Sequence, residues 1–163
     1  MRIMKVVLIV GMICLSSMML QKHDKKEVEV ISTNTTEDTI PDFFNKSPSE
    51  GLLEALIYYD IKHPEIVYAQ AVLETGNFKS KHCINGNNLF GLYNSKNKRY
   101  HKFNHWTESV LAYKKWIQNK HKVSEDYYSF LKRIKYASDP NYIPKLKKIV
   151  NDKRRNKTRS NKS

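Results

Sequence analysis

This chain of 163 residues is short of cysteine, of acidic residues in one long stretch, and of apolar runs. It has two cysteines, Cys14 and Cys83, and the first lies in an apolar leader, so no disulfide is expected within the mature chain. No Asp or Glu occurs between Thr75 and Thr107, so that stretch has no carboxylate to offer a site. The apolar run from Val6 to Leu15 is shorter than the roughly 20 residues that a membrane-spanning helix needs. The core must therefore hold the fold without covalent cross-links.

The first 20 residues have the pattern of an export signal. Two basic residues precede the apolar run and two serines follow it. We therefore expect residues 1–20 to be a signal peptide or a short N-terminal anchor. The protein is then exported, and is periplasmic or associated with the cell envelope. A lipid on Cys14 is less favoured, because Ile13 stands where lipoprotein signals have a small residue.

The formal net charge of +13 is unevenly distributed. Residues 21–47 hold four Lys or Arg and six Asp or Glu, residues 48–150 hold 17 and nine, and residues 151–163 hold six and one. We interpret residues 21–47 as a polar linker and residues 152–163 as a basic, disordered tail. The positive surface should attract a polyanion such as acidic glycan, anionic lipid or nucleic acid, and charge alone does not choose among them.

Helical spacing of apolar residues predicts a mainly α domain over residues 48–151. A capping box at Ser47 to Glu50 predicts a first helix from Pro48 to Ile61, in which the buried residues are Leu52, Leu53, Leu56 and Ile57. Further helices are predicted from Pro64 to Glu74, after a Thr107 cap, from Ser124 and from Asp139. Leu89 to Tyr93 and Arg99 to Phe103 are predicted to pair as a hairpin, and the rest of Asn77 to Tyr93 to be loop. The aromatic residues interpreted as core or interface are Trp106, Tyr113 and Trp116.

Glu74 is expected in the last turn of its helix, because a glycine follows Thr75. The carbonyl end of a helix carries partial negative charge, and Val72, Leu73 and Phe78 can exclude water. Both effects raise the pKa of a carboxyl group. A carboxyl that is still protonated near neutral pH can act as the general acid of glycosidic-bond cleavage. Spacing alone leaves an ordinary frayed surface glutamate as the alternative.

Three separated segments, AQAVLETGNFKS, NNLFGLY and YASDPNYIPKL, together resemble the glucosaminidase family of bacterial cell-wall hydrolases, glycoside hydrolase family 73. The resemblance covers about Leu53 to Val150. It implies a lysozyme-like helical domain with a cleft and a small β-hairpin lobe. It also implies hydrolysis of the β-1,4 bond between N-acetylglucosamine and N-acetylmuramic acid in peptidoglycan. We expect a monomer with no cofactor and no metal.

Carried over to this chain, the resemblance implies that Glu74 is the general acid and that Tyr136 is catalytic. The residues expected to bind substrate are Gln70, Asn88, Phe90, Gly91, Tyr93 and Tyr142. Glycosidases usually need a second carboxylate, which many relatives carry on a longer β-lobe, and this lobe has none. Glu108 is the nearest in sequence, but its place beside a helix N-cap already explains it. We therefore expect substrate assistance, in which the 2-acetamido carbonyl of the sugar attacks the anomeric carbon.

Four alternatives remain from other classes of protein. A non-catalytic peptidoglycan-binding module would keep the fold without the second carboxylate. A Cys/His peptidase would use Cys83, but no strong motif supports it. A nucleic-acid binder would use the basic tail, against which export argues. A metal site at His101 and His105 lacks a third ligand at metal-site spacing. The expected partner is therefore the peptidoglycan strand, with no nucleic acid and with membrane contact only through the N-terminal segment.

Overall fold

The computed structural model describes residues 40–160. The predicted signal or anchor, including Cys14, and most of the predicted linker lie outside the described residues. Within the described part, no helix combines the length and the apolar character that crossing a membrane requires.

Residues 40–160 contain six α-helices and one two-stranded sheet. In chain order the elements are α1 (Pro48–Tyr58), α2 (Pro64–Glu74), α3 (Lys81–Ile84), β1 (Tyr93–Asn94), β2 (Arg99–Tyr100), α4 (Trp106–Trp116), α5 (Tyr127–Arg133) and α6 (Tyr142–Ser160), with 3₁₀ helices at Asp42–Asn45 and Gln118–Lys120. The strands pair antiparallel, with Tyr93 opposite Tyr100. The predicted class, mainly α with a small hairpin lobe, is confirmed.

The core lies around α2, which contacts both α1 and α6. Each of these helices buries apolar side chains against the others, and α4 and α5 add theirs. Residues with no more than 2 % of their surface exposed include Leu52, Leu56, Val67, Val110, Phe130, Leu131 and Leu146. This central position of α2 brings its last residue, Glu74, beside the first turn of α6.

α1 ends three residues earlier than predicted, at Tyr58. Asp60 adopts a left-handed conformation with φ of 50°, and the Ile61 N–H donates to the Leu56 carbonyl at 2.8 Å. This reversal ends the helix and turns Ile61 into the core. The predicted burial of Ile57 is wrong, since 63 % of its surface is exposed, and Leu53 is only partly buried.

α4 and α5 begin at side-chain caps that differ from the predicted ones. His105 caps α4, because its Nδ1 accepts the backbone N–H of Thr107, the residue predicted as the cap. Asp126 caps α5 by accepting the Ser129 N–H at 2.8 Å, so this helix begins at Tyr127 rather than at Ser124. α6 begins at Tyr142, after a turn that follows Asp139.

The segment predicted as loop contains one short helix, α3, which was missed. The Ser80 hydroxyl accepts the Cys83 N–H at its start. The hairpin is shorter than predicted, with two residues in each strand. The lobe therefore depends on its loops and on α3 more than on strand pairing.

The prediction of a disordered tail is wrong for the residues up to Ser160, because α6 continues to that residue. The Arg154 guanidinium pairs with the Glu65 carboxylate at 2.7 Å, and the Lys153 Nζ lies 3.7 Å from the centroid of the Tyr68 ring. Both partners belong to α2, so the basic segment is held as a helix by contacts distant in sequence.

The end of the predicted linker is also part of the domain. Phe43, in the first 3₁₀ helix, has 1 % of its surface exposed. Its ring packs edge-on against Tyr58 and Tyr59, with centroids 5.2 and 5.8 Å away, and lies 6.3 Å from Trp106. The Trp106 indole N–H donates to the Lys46 carbonyl at 3.1 Å, which fixes the same segment.

Phe43→Ala should lower the free energy of unfolding by about 3–5 kcal/mol, because it leaves a cavity between the first 3₁₀ helix, α1 and α4. Urea denaturation followed by tryptophan fluorescence measures the change. The matched control is Phe44→Ala, which removes a ring that is 37 % exposed and should cost much less. Equal losses in the two variants would contradict this assignment of Phe43 to the core.

Candidate active site

Glu74 is the last residue of α2, and the chain turns sharply after it. The Thr75 hydroxyl donates to the Ala71 carbonyl at 2.6 Å and accepts the Phe78 N–H at 2.7 Å. Three successive residues then have positive φ: Gly76, Asn77 and Phe78. The turn explains why the helix stops, and the predicted position of Glu74 is confirmed.

Two depressions meet at Glu74. The larger, a groove of about 640 Å³, lies between the hairpin lobe and the segments that follow α4 and α5. The smaller, a pocket of about 380 Å³, lies toward the start of α6. Glu74 and Tyr136 line both depressions. A polysaccharide that occupies both depressions would therefore place sugar units on both sides of the Glu74 carboxyl group.

The Glu74 carboxyl is partly buried and has no cationic partner among residues 40–160. Burial raises its pKa, because desolvation disfavours the charged form. A hydrogen bond from the Tyr142 hydroxyl to Oε1, at 2.9 Å, lowers the pKa by a smaller amount. The predicted upward shift is confirmed, and burial is its main cause.

A chain of buried hydrogen bonds reaches Glu74 from the core. The Tyr113 hydroxyl donates to Gln70 Oε1 at 2.7 Å and lies 2.8 Å from the Tyr127 hydroxyl, which therefore donates to it. Gln70 Nε2 donates in turn to the Tyr142 hydroxyl at 3.4 Å. Gln70 is fully buried, so the structure places it behind the groove and not at its surface. Gln70 therefore contacts Tyr142, which in turn contacts Glu74.

Asn88 is also buried, and its amide holds the loop that faces Glu74. Nδ2 donates to the carbonyls of Leu92 and His101 at 2.9 and 3.0 Å, and Oδ1 accepts the Leu92 N–H at 2.9 Å. The loop presents Gly91, whose φ is 59°. A Cβ on Gly91 would lie 3.3 Å from Glu74 Oε2. Glycine at this position therefore leaves space for the carboxyl group and for whatever it contacts.

The remaining predicted residues lie on the walls of the two depressions. The Tyr136 hydroxyl donates to the Phe90 carbonyl at 3.0 Å and so ties the two sides of the groove together. The Phe90 ring is buried against Tyr113, with centroids 4.5 Å apart. Tyr93 lines the groove with 51 % of its surface exposed, whereas Tyr142 lines the smaller pocket and is 7 % exposed.

Most residues that line the groove were not predicted as part of the site, and among them are Trp116, Lys120 and Lys135. Trp116, interpreted from its spacing as a core or interface residue, is 37 % exposed, and its ring lies 4.6 Å from that of His101. Its position at the very end of α4 is the sequence signal that could have placed it at an edge of the core.

Asp139 is the other carboxylate that lines either depression, and it faces the smaller pocket. Lys145 donates to its Oδ2 at 2.6 Å and the Asn141 N–H to its Oδ1 at 2.8 Å, which lowers its pKa. Glu108 lines neither depression and accepts the Asn104 N–H at 3.2 Å. Both groups thus have structural partners, as their positions near helix starts predict.

The structure gives little support to a thiol or metal site. Cys83 is buried, which raises its pKa and disfavours the thiolate. His101 packs against Trp116, whereas His105 Nδ1 bonds Thr107 at the start of α4. Within residues 40–160, no three His, Cys, Asp or Glu side chains are grouped so as to hold a metal ion.

Comparison with known proteins identifies a family for residues 50–155. The family model Glucosaminidase, described as mannosyl-glycoprotein endo-beta-N-acetylglucosaminidase, matches residues 50–155. No curated protein matches the chain. The family match covers more than half of the chain and includes all three motifs and every residue predicted for the site. The chain therefore belongs to the glucosaminidase family, a family of glycoside hydrolases.

Proposed function

We propose that the protein is an endo-β-N-acetylglucosaminidase that cleaves the β-1,4 bond between N-acetylglucosamine and N-acetylmuramic acid in peptidoglycan. Membership of the family supports hydrolysis of peptidoglycan-like glycans in general. The observation that carries the finer proposal is the Glu74 carboxyl, which is partly buried, lacks a cationic partner within the described residues, and lies where two depressions meet. Glu74 is the general acid.

The two carboxyl oxygens of Glu74 have different tasks. Oε1 accepts the hydrogen bond from Tyr142, so the proton of the neutral acid belongs on Oε2. Oε2 is the oxygen beside Gly91, where no side chain blocks it. Glu74 then donates this proton to the glycosidic oxygen as the bond to the anomeric carbon breaks. General acid catalysis contributes roughly 10²- to 10⁴-fold, so binding and distortion of the sugar must supply the rest.

The attacking group comes from the substrate. The groove contains no carboxylate other than Glu74 among its described residues, and Asp139 is engaged by Lys145. The 2-acetamido carbonyl oxygen therefore attacks the anomeric carbon and forms an oxazolinium ion. Glu74, now ionised, accepts a proton from the water that opens this ion, and the acid form is restored.

The proposed site of action is the cell envelope, to which the predicted export signal would deliver the protein as a monomer. The net positive charge of the domain suits a polyanionic wall and does not require nucleic acid. The second candidate is a non-catalytic peptidoglycan-binding module, which the absence of a free second carboxylate in the groove favours. Release of new reducing ends by the unmodified protein separates the two.

Glu74→Gln should lower the release of muropeptides from purified sacculi at least 100-fold, because glutamine cannot donate the proton. Mass spectrometry of the products measures release and identifies the sugar at the new reducing end. The variant should still sediment with sacculi, and its melting temperature should not fall, because the substitution removes a desolvated acid.

The matched control for Glu74→Gln is Asp139→Asn, which removes the neighbouring carboxylate and keeps a capping side chain. It should retain most of the release if the substrate supplies the attacking group. Near-normal release by Glu74→Gln would end the general-acid assignment. Loss of release in Asp139→Asn, with its fold intact, would replace substrate assistance by a second protein carboxylate.

Tyr142→Phe should move the alkaline limb of the pH profile of kcat/KM to higher pH. Cleavage needs protonated Glu74, so the rate falls as pH rises through the pKa of this group. The hydrogen bond from Tyr142 lowers that pKa, so removing the donor raises it and keeps the acid protonated to higher pH. Tyr58→Phe, at a position that is 62 % exposed and outside the groove, should leave the limb in place. A limb that stays or moves to lower pH in Tyr142→Phe would contradict this role.

A further inference from the structure

A second large depression adjoins the groove and is not used by the proposed reaction. It has a volume of about 720 Å³ and lies between α3 and the hairpin. Asn94 and His101 line both this depression and the groove, so the hairpin forms the wall between them. We call it the basic cavity, because three cationic side chains line it: Lys81, Arg99 and Lys102.

Within residues 40–160, no ion pair neutralises the charge of the basic cavity. No carboxylate lines it, and the whole segment from Thr75 to Thr107 has no Asp or Glu. Within residues 40–160, none of its three cations forms an ion pair. Among the same described residues, at least eight other Lys or Arg side chains pair with carboxylates. Like charges gathered without a counter-ion repel, and an anionic ligand removes that repulsion.

The walls of the basic cavity are fixed by backbone contacts and by a ring contact. The Phe103 N–H donates to the Gly86 carbonyl at 3.0 Å, which joins the end of α3 to the segment after β2. A Cβ on Gly86 would meet the His82 carbonyl at 3.0 Å, so glycine permits this approach. The His82 ring lies on that of Tyr100, with centroids 3.9 Å apart. The three cationic side chains therefore line a cavity whose walls are held in place by these contacts.

We propose that the basic cavity binds carboxylates of the peptide stems carried by the muramic acid residues of the substrate strand. This inference rests on the proposed function. Lysine and arginine bind anionic oxygens, and the Arg99 guanidinium can bind a carboxylate with two parallel hydrogen bonds. Phosphate of another wall polymer shares this chemistry. The common wall with the groove favours an anion attached to the strand that occupies Glu74.

Stem binding would decide which bond is cut. In peptidoglycan the two sugars alternate and only muramic acid carries a stem, so every second linkage has a stem on a given side. The basic cavity has a fixed position relative to Glu74. It can therefore accept a stem when one type of linkage lies at Glu74, and not when the strand is shifted by one sugar so that the other type of linkage lies there. The basic cavity is then a determinant of specificity, separate from the proton-transfer site.

The test uses a cavity variant, in which Lys81→Gln is combined with Arg99→Gln. The control variant combines Lys122→Gln with Lys132→Gln and removes the same charge. The side chains of Lys122 and Lys132 are exposed and line neither the basic cavity nor the groove. The ligands are soluble glycan strands, freed of phosphate polymers, with their stems intact or removed by an amidase. Affinity is measured in the Glu74→Gln background and kcat/KM in the active protein. On strands with stems, the affinity and kcat/KM of the cavity variant should each fall about fivefold, a modest loss because each exposed ion pair contributes little. On strands without stems, neither quantity should change. The control should match the parent protein.

Equal losses on both kinds of strand, or no loss on either, would overturn the assignment. A loss seen only when phosphate polymers are left in place would overturn it in favour of phosphate. If the protein binds strands in a stem-dependent way but cuts neither kind of strand, the assignment of the basic cavity as a stem-binding site is supported and the proposed hydrolase function is contradicted. The two proposals therefore fail separately.

Discussion

The hydrogen bond from the Tyr142 hydroxyl to Glu74 is the contact on which the site depends, because it joins the end of α2 to the start of α6. Gln70 and Tyr113 order the donor from behind. Among residues 40–160 the carboxyl is therefore held without a cationic partner. A lysine in that place would hold Glu74 as well, but it would keep the group ionised. A neutral donor permits both a fixed orientation and a raised pKa.

The hairpin lobe contributes to the site because it has no side chain at Gly91 and no carboxylate. Gly91 brings backbone to within reach of the carboxyl without a side chain, and Asn88 holds the loop in that shape. The lobe has no carboxylate and contributes cations instead. In our account its two faces have separate tasks, since one closes the groove around the sugar and the other receives the anionic stem of the same strand.

The sequence predicted features that depend on local pattern and missed those that depend on distant partners. The end of α2 follows from one glycine and its apolar neighbours, so Glu74 was placed correctly. Gln70 lies on the same helix as Glu74 and looks like a surface residue until Tyr113 and Tyr142 are seen to bury its amide. The basic C-terminal segment and Phe43 were misjudged for the same reason, because the residues that hold them are remote in the chain.

The most direct test of the central claim is an NMR titration of the glutamate side-chain carboxyl carbons in the full chain. The account predicts that Glu74 titrates at a clearly higher pH than an unperturbed glutamate. Glu125 is an internal reference of opposite sign, because its hydrogen bond from Arg133 lowers its pKa to about 2. A Glu74 that titrates at or below the value of an ordinary exposed glutamate would contradict the claim that this carboxyl is kept protonated to act as an acid.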